Sequence, residues 1–320
     1  MQENAKQSWD ITSKERAILS IIVMSGAFMA VLDSTVVDVI VPKLTGPLST
    51  DMYGVQWIIT SYMIAAAIAL LITEYLIKRF GAKHIFIAGV ALFTVFSFMC
   101  GISDTLSFII FARVFQGVGE AFIMVTSHIM IFSYFPPKKQ GLAMGIYGLG
   151  VSFAPALGPT IGGYLTEYYN WRMVFFINVP VGLLLTTSGL MFLPKDLNLK
   201  KINFNFISFF WISVATISIL IMLSKGQQRG WMNDSLIGAL FFISIIGYLI
   251  YILSEMYSKH TLIDFSLFKN PNFTNGISSI FSYLVLVCIS TFICFLFTMN
   301  ISKCYQLLMQ ECLSLFSLFL

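Results

Sequence analysis

The feature that most constrains this chain is a recurrence of apolar runs, each long enough to cross a lipid bilayer as a helix. A spanning helix needs about 20 mainly apolar residues, and runs of that size recur near nine places: 18–41, 55–77, 85–101, 106–132, 142–165, 172–193, 204–224, 236–254 and 276–299. The sequence is 58% hydrophobic and 11% charged. It therefore predicts an all-α integral membrane protein. The first run has no small-residue cleavage site behind it, so we expect an uncleaved first span.

The placement of lysine and arginine predicts the orientation of the chain. With a cytoplasmic N-terminus, thirteen of these residues fall in inner segments and five in outer ones, which is a positive-inside bias. The net charge of +4 then reflects topology and gives no reason to expect nucleic acid as a partner. The five cysteines lack metal-ligand spacing, so we expect no metal site.

Two charged residues within the runs are predicted to meet. Asp33 lies about 22 Å from the inner edge of the first span, and Arg113 lies about 10 Å below the outer edge of a core roughly 30 Å thick. Opposite charges at one depth are expected to face the same polar interior. Two interpretations stay open, a functional proton or cation site and a purely structural ion pair. Asp38, near the outer end of the first span, is expected to be solvated.

Glu120 is a second unusual charge, two helical turns from Arg113 on nearly the same face and without a lysine or arginine nearby in sequence. An acid there is expected to be neutral much of the time, which suits a proton carrier or a binder of cationic ligands. The alternative is a neutral acid that is hydrogen-bonded to a neighbouring helix. Between the two charges, Gln116 offers a donor and an acceptor, while Gly117 and Gly119 let another backbone come close.

The fifth run, "GIYGLGVSFAPALGPTIGGYL", is dense in glycine and proline. Such a density would disrupt a soluble helix. In a membrane it permits tight helix packing and a bend, because neighbouring helices satisfy the freed backbone groups. From the residues alone, this run could be a packing seam in any multispanning protein.

Together these segments resemble the major facilitator superfamily and, within it, the fourteen-helix drug:proton antiporters of the EmrB/QacA type. "LDSTVVDVIVP" is similar to the first-helix motif LDxTIVNVALP, "RVFQGVGEAF" to RxxQGxGAA, and "NWRMVFFINVPVG" to WRWIFFINVPIG. The fifth run resembles the antiporter motif G(x8)G(x3)GP(x2)GG at Gly145, Gly158, Pro159, Gly162 and Gly163. The chain departs from these motifs at Asp38, Glu120 and Ala154, where asparagine, a small residue and glycine are usual.

A cytoplasmic loop motif matches less closely. "EYLIKRFGAKH" resembles the superfamily motif GxLADRxGRK at Leu76, Arg79, Gly81 and Lys83. Glu74 replaces its leading glycine and Lys78 replaces its aspartate. The resemblance implies that this loop latches the two transporter halves, and the two replacements put that latch in doubt.

The resemblance implies a division of the chain into four parts. These are an N-terminal six-helix transporter half at 1–193, a cytoplasmic linker at 194–203, an inserted helix pair at 204–254 and the start of an incomplete C-terminal half at 255–320. The segment from Ser254 to Phe273 is also expected to hold an interfacial helix. The family has fourteen helices around a midplane site, so a chain with about nine is expected to be a fragment or a truncated form that does not export drugs by itself.

The resemblance further implies that inward protons are exchanged for lipophilic or cationic compounds across the inner (plasma) membrane, with the proton gradient as energy source and no cofactor. Asp33 would be the main proton and cation site, Arg113 would set its affinity, and Glu120 would be an accessory acid. Gln116 and Gly117 would line the cavity. The expected partners are the lipid bilayer, a small-molecule substrate and, in a Gram-negative cell, a periplasmic adaptor and outer-membrane channel.

Two other functions stay open. A porter of the same superfamily for another small solute would share the scaffold, and a non-transporting remnant or regulatory membrane protein would lack the second half. We do not expect an intramembrane enzyme, because the three histidines are scattered and neither HExxH nor GxSxG occurs.

Overall fold

The computed structural model of the chain describes residues 12–194, 204–258, 261–262, 265–282 and 285–286. Within these ranges the chain is helical with short turns and contains no strand. The helices are α1 (Ser13–Ile40), α2 (Met52–Phe80), α3 (Ala82–Gly101), α4 (Leu106–Tyr134), α5 (Pro137–Tyr168), α6 (Met173–Phe176), α7 (Asn178–Phe192), α8 (Phe206–Arg229) and α9 (Ser235–Tyr257).

Among the described residues, eight helical segments are long and apolar enough to cross a membrane, with α6 and α7 counted as one. They correspond to the first eight predicted runs, so the prediction of an all-α membrane protein is confirmed. Most of the ninth predicted run, 276–299, lies outside the described residues. The segment predicted as an interfacial helix is described in part: α9 ends at Tyr257, and a 3-10 helix covers Phe265–Lys269.

The chain forms two compact units, residues 1–262 and 263–320. In the second unit, the described part holds the 3-10 helix and a helix over residues 271–282. In the first unit, α8 and α9 pack against each other, and α8 also packs on α2. The Thr60 and Ser224 hydroxyls share a hydrogen bond of 2.9 Å across that second contact. The Lys225 ammonium lies 4.7 Å from the centre of the Trp57 ring.

The first helix begins with a capping box at the expected membrane surface. The backbone N–H of Glu15 donates to Thr12 Oγ1 at 3.3 Å, and the backbone N–H of Thr12 donates to Glu15 Oε2 at 3.0 Å. The box satisfies two donors that the first turn of a helix cannot pair internally. It therefore fixes where α1 enters the apolar layer.

The core of the bundle consists of two apolar clusters stacked along the helices. The members of one cluster in α1 are Leu19, Ile22, Val23, Ala27, Met29 and Ala30, and those of the other are Leu32, Val36, Val37 and Ile40. The same division recurs in α4, where Ile123 to Tyr134 contribute to the first cluster and Ile109 and Ala112 to the second. Polar side chains lie where the two clusters meet, and they form the site described next.

Candidate functional site

Asp33 and Arg113 form a buried ion pair between α1 and α4. Arg113 Nη1 donates to Asp33 Oδ2 at 2.5 Å, and each residue is only 1% exposed. The prediction that the two charges meet at one depth is confirmed. Their role in coupling stays a prediction, since a contact of this kind is compatible with a structural pair.

Arg113 has further partners that do not depend on Asp33. Its Nη1 also donates to Gln116 Oε1 at 2.9 Å, and its Nε donates to the Ile58 carbonyl of α2 at 3.4 Å. The guanidinium carbon lies 3.7 Å from the centre of the Tyr62 ring, which is cation–π geometry. A guanidinium has five N–H donors and no acceptor, and these contacts satisfy it in part independently of Asp33.

Asn178 and Ser97 complete the site, and sequence reasoning missed both. Asn178 Nδ2 donates to Asp33 Oδ1 at 2.6 Å and to Ser97 Oγ at 3.1 Å. Ser97 Oγ in turn donates to the Phe175 carbonyl at 2.9 Å. The signal available in the sequence was a single amide inside the apolar stretch "FFINVP". The depth of this amide in its span could have been compared with the depth of Asp33, in the same way as the depth of Arg113 was.

Glu120 lies on the same face of α4, about two turns from Arg113, and it is half-buried. It is within electrostatic reach of Tyr62 and Arg113, and it forms no ion pair with any residue that the structure describes. Its role as a proton carrier or a binder of cationic ligands stays a prediction. Gly117 lies between the two charges, and a Cβ there would collide with the Tyr62 carbonyl. Its hydrogen therefore lets α2 and α4 approach closely enough to place Tyr62 over Arg113.

The fifth-helix motif divides into two kinds of position. A Cβ on Gly158 would overlap Thr35, and one on Gly162 would lie 3.0 Å from Val36 Cγ1. Both glycines therefore seat α5 against α1 within three residues of Asp33, as tight packing predicts. A Cβ on Gly145 or Gly163 would meet no described atom within 4 Å apart from the chain neighbours and the backbone of the same helix. Pro159 lies inside α5, which continues through it as one helix.

The cytoplasmic loop motif has a structural part and a divergent part. Gly81 joins α2 to α3 at a φ of +90°, a conformation that favours glycine. Lys83 is buried, and its Nζ donates to the carbonyls of Leu190 at 3.0 Å and Leu193 at 2.5 Å. It therefore caps the C-terminal end of α7, where carbonyls lack partners within the helix. Arg79 Nη1 donates to the Tyr75 hydroxyl at 2.6 Å.

The two positions where the chain departs from the loop motif contact each other. Lys78 Nζ lies 2.5 Å from Glu74 Oε1, and both side chains are about half exposed. Exposed pairs one helical turn apart contribute little, about 0.3–0.5 kcal/mol. The replacements thus neutralise each other locally. Asp38 is exposed, as expected.

Comparisons with known proteins agree with this arrangement. The family model of the Major Facilitator Superfamily matches residues 23–316. Multidrug export protein EmrB of Escherichia coli (strain K12) is 30% identical over 85% of this chain and 53% of its own length. Riboflavin transporter RibZ of Clostridioides difficile (strain 630) is 32% identical over 82% of this chain and 56% of its own length. The chain spans about half the length of the curated relatives it matches.

A crystal structure of a peptide transporter POT in complex with alafosfalin has a similar fold. It matches with a TM-score of 0.58 and 14% sequence identity, covering 81% of this chain and 56% of the POT chain. An identity this low supports the fold alone. With the family match, it confirms the predicted major facilitator architecture. The similarity to EmrB confirms the predicted resemblance to EmrB-type transporters.

Proposed function

The chain belongs to the Major Facilitator Superfamily, and from that premise we propose that it serves proton-coupled export of lipophilic or cationic compounds by alternating access. The observation that carries this proposal is the buried contact of Asp33 with Arg113, with the half-buried Glu120 two turns away. A carboxylate in a membrane interior is costly and usually functional. This one has a cation that balances it and a second acid close by.

The contacts of Arg113 suggest how Asp33 exchanges its partners. A proton or a cationic substrate that neutralises Asp33 removes the counter-charge of Arg113. The guanidinium then keeps its hydrogen bonds to Gln116 and the Ile58 carbonyl and its cation–π contact with the Tyr62 ring. Because these contacts limit the cost of leaving Arg113 without an anion, Asp33 can cycle between charged and neutral forms. The proton gradient supplies the energy, and no cofactor is needed.

Glu120 is proposed as an accessory acid that meets cationic groups of the substrate. It lies on the face of α4 that also carries Arg113 and Gln116, and it is more accessible than Asp33. A half-buried carboxyl group can accept a cation without the complete desolvation that a fully buried one requires. Binding at Glu120 would therefore depend on substrate charge more than on the proton gradient.

The proposed setting is the inner (plasma) membrane with a cytoplasmic N-terminus, which the positive-inside bias supports. Residues 1–193 would form the six-helix half, 194–203 the linker, 204–254 the inserted pair and 255–320 the start of the second half. In a Gram-negative cell, a periplasmic adaptor and an outer-membrane channel would be further partners, besides lipid and the small-molecule substrate.

A second candidate function is transport of another small solute, which the similarity to a riboflavin transporter favours. The two functions predict different substrate ranges on one scaffold. A lipophilic-cation exporter should accept several unrelated cationic dyes, whereas a solute porter should accept one uncharged or anionic compound.

The test uses the whole protein that carries these residues, reconstituted in vesicles with an imposed pH gradient. We expect uphill movement of cationic dyes that an uncoupler abolishes, and we expect Asp33→Asn to abolish it as well. Asp38→Asn is the matched control, because it makes the same change on the same helix at an exposed position. Dye movement that ignores the pH gradient, or selective movement of riboflavin, would overturn the proposal in favour of the second candidate.

A further inference from the structure

Asn178 occupies a special place in the fold as the first residue of α7. In the span that was predicted as one helix over 172–193, the helical hydrogen-bond pattern breaks at Ile177, between α6 and α7, while Ile177 keeps helical dihedral angles of φ −60° and ψ −28°. Pro180 lacks an N–H and cannot donate to the Phe176 carbonyl four residues before it, so the break has a local cause. Asn178 is 2% exposed, and its side chain contacts Asp33 directly after this point.

The hydroxyl group of Ser97 fixes the hydrogen-bond directions around Asn178. The Ser97 hydroxyl donates its hydrogen to the Phe175 carbonyl, so Ser97 Oγ can only accept from Asn178. A side-chain amide has two N–H donors, and here one goes to Ser97 and the other to Asp33. Rotating the amide by 180° would place its oxygen against two acceptors. Ser97 therefore locks Asn178 as a donor to Asp33.

This arrangement fits a carboxylate and not a carboxylic acid. Asp33 Oδ1 receives Asn178 and Oδ2 receives Arg113, and both partners are donors. A protonated Asp33 has an O–H that needs an acceptor, and neither of these two partners offers one in this geometry. Gln116 also lies within hydrogen-bonding reach of Asp33, but its Oε1 already accepts from Arg113 Nη1. For Asn178 to accept the proton of a neutral Asp33, its amide must turn its oxygen toward Asp33, and Ser97 must then release the Phe175 carbonyl.

We propose that Asn178 is a positioning residue that holds Asp33 in its charged form, and that Ser97 is the latch that keeps Asn178 in this orientation. The inference rests on the proposed function, because it assigns control of the coupling acid to the α6–α7 break. It adds a residue of α7 and one of α3 to the control of the proton site. A movement that shifts the break would thereby change how readily Asp33 binds a proton.

Other groups near Asp33 must be separated from this effect. Besides Arg113 on α4, those in electrostatic reach are Asp38 on α1, Tyr62 on α2, Cys100 on α3 and Glu120 on α4. None of these makes a hydrogen bond to Asp33 in the described part of the chain. None of these four residues is changed in Asn178→Ala or Ser97→Ala. A shift of the Asp33 titration midpoint in these variants therefore reports the contact between Asn178 and Asp33.

The experiment is an infrared titration of carboxyl bands in the purified chain in detergent, without drug or membrane potential. Asp33→Asn identifies the band of Asp33 by its loss. In Asn178→Ala, we expect the midpoint of that band to move upward by about one pH unit or more, a tenfold change in proton affinity. The physical reason is the loss of a donor to the charged form. Ser97→Ala keeps Asn178 but frees its amide to turn, so a smaller upward shift is expected.

Ser127→Ala is the matched control for Ser97→Ala. Ser127 is also a buried serine, and its hydroxyl donates to the Val23 carbonyl of another helix, in the other apolar cluster. An unchanged midpoint in both Asn178→Ala and Ser97→Ala would overturn the inference and leave Asn178 a brace for the helix break. If Asn178→Ala does not fold, an unchanged midpoint in Ser97→Ala is by itself sufficient to overturn the inference. Transport is not measured, so this result stands apart from the test of export.

Discussion

The buried carboxylate of Asp33 is stabilised because each of its oxygens accepts a hydrogen bond. Oδ2 accepts from Arg113 and Oδ1 accepts from Asn178. Gln116 also lies within hydrogen-bonding reach of Asp33, and the two apolar clusters provide its other surroundings along α1. Removing Arg113 therefore leaves the buried charge of Asp33 without a counter-charge, which costs more than the ion pair contributes.

Arg113→Ala should destabilise the protein by about 3–5 kcal/mol, because it leaves Asp33 as an unpaired buried carboxylate. Unfolding of the purified variant in mixed micelles measures the loss. The double variant Asp33→Asn with Arg113→Ala should recover much of the stability, since no unpaired charge remains. A double variant as unstable as Arg113→Ala would show that the lost packing on Tyr62 dominates instead.

Glu120→Gln should narrow the range of cationic substrates and leave proton coupling largely intact. The amide keeps the size and hydrogen bonding of the acid but cannot attract a cation. Uptake of a panel of monovalent and divalent cationic dyes by vesicles that contain the whole protein checks this. The account of Glu120 is wrong if divalent dyes are affected no more than monovalent ones.

At the scale of the helix, the glycines of α5 offer a controlled comparison. Gly158→Ala should destabilise the contact of α5 with α1, because its Cβ would overlap Thr35. Gly163→Ala, on the same helix, places a methyl group where no described atom lies within 4 Å apart from the chain neighbours and the backbone of the same helix, and it should leave the melting temperature unchanged. Equal melting temperatures in the two variants would contradict the proposed seam.

The helices themselves were predictable because length and hydropathy decide what can span a bilayer. The contact of Asp33 with Arg113 was predictable because depth follows from the rise per residue. The break at Ile177 was not predicted, since Pro180 and Asn178 lie in a run that is apolar enough for a single helix. The pairing of Asn178 with Asp33 joins residues 145 positions apart in the chain, and no local pattern specifies which helices become neighbours.

For the whole molecule, the charge bias predicts that the loop between α4 and α5 faces the cytoplasm and the loop between α1 and α2 faces outward. In intact cells, a membrane-impermeant maleimide should label Gly46→Cys and should label Lys139→Cys only after permeabilisation. Both positions are exposed, so access to the thiols differs only by the side of the membrane. Labelling of Lys139→Cys in intact cells would reverse the orientation.

The helix packing also bears on how the site alternates between the two sides of the membrane. α1 contacts α5 through Gly158 and Gly162, and it contacts α7 through Asn178. A movement of either neighbour would therefore alter the surroundings of Asp33. Coupling of this kind requires that proton binding and helix packing each bias the same equilibrium.

The most direct measurement of the central claim is proton release on addition of substrate to the detergent-solubilised whole protein at several pH values. Asp33→Asn should insert and fold but release no proton when a cationic substrate binds. Asp38→Asn should release protons like the unmodified protein. Undiminished release from Asp33→Asn would contradict the account: it would move the coupling site to Glu120 and leave the contact of Asp33 with Arg113 as a structural ion pair.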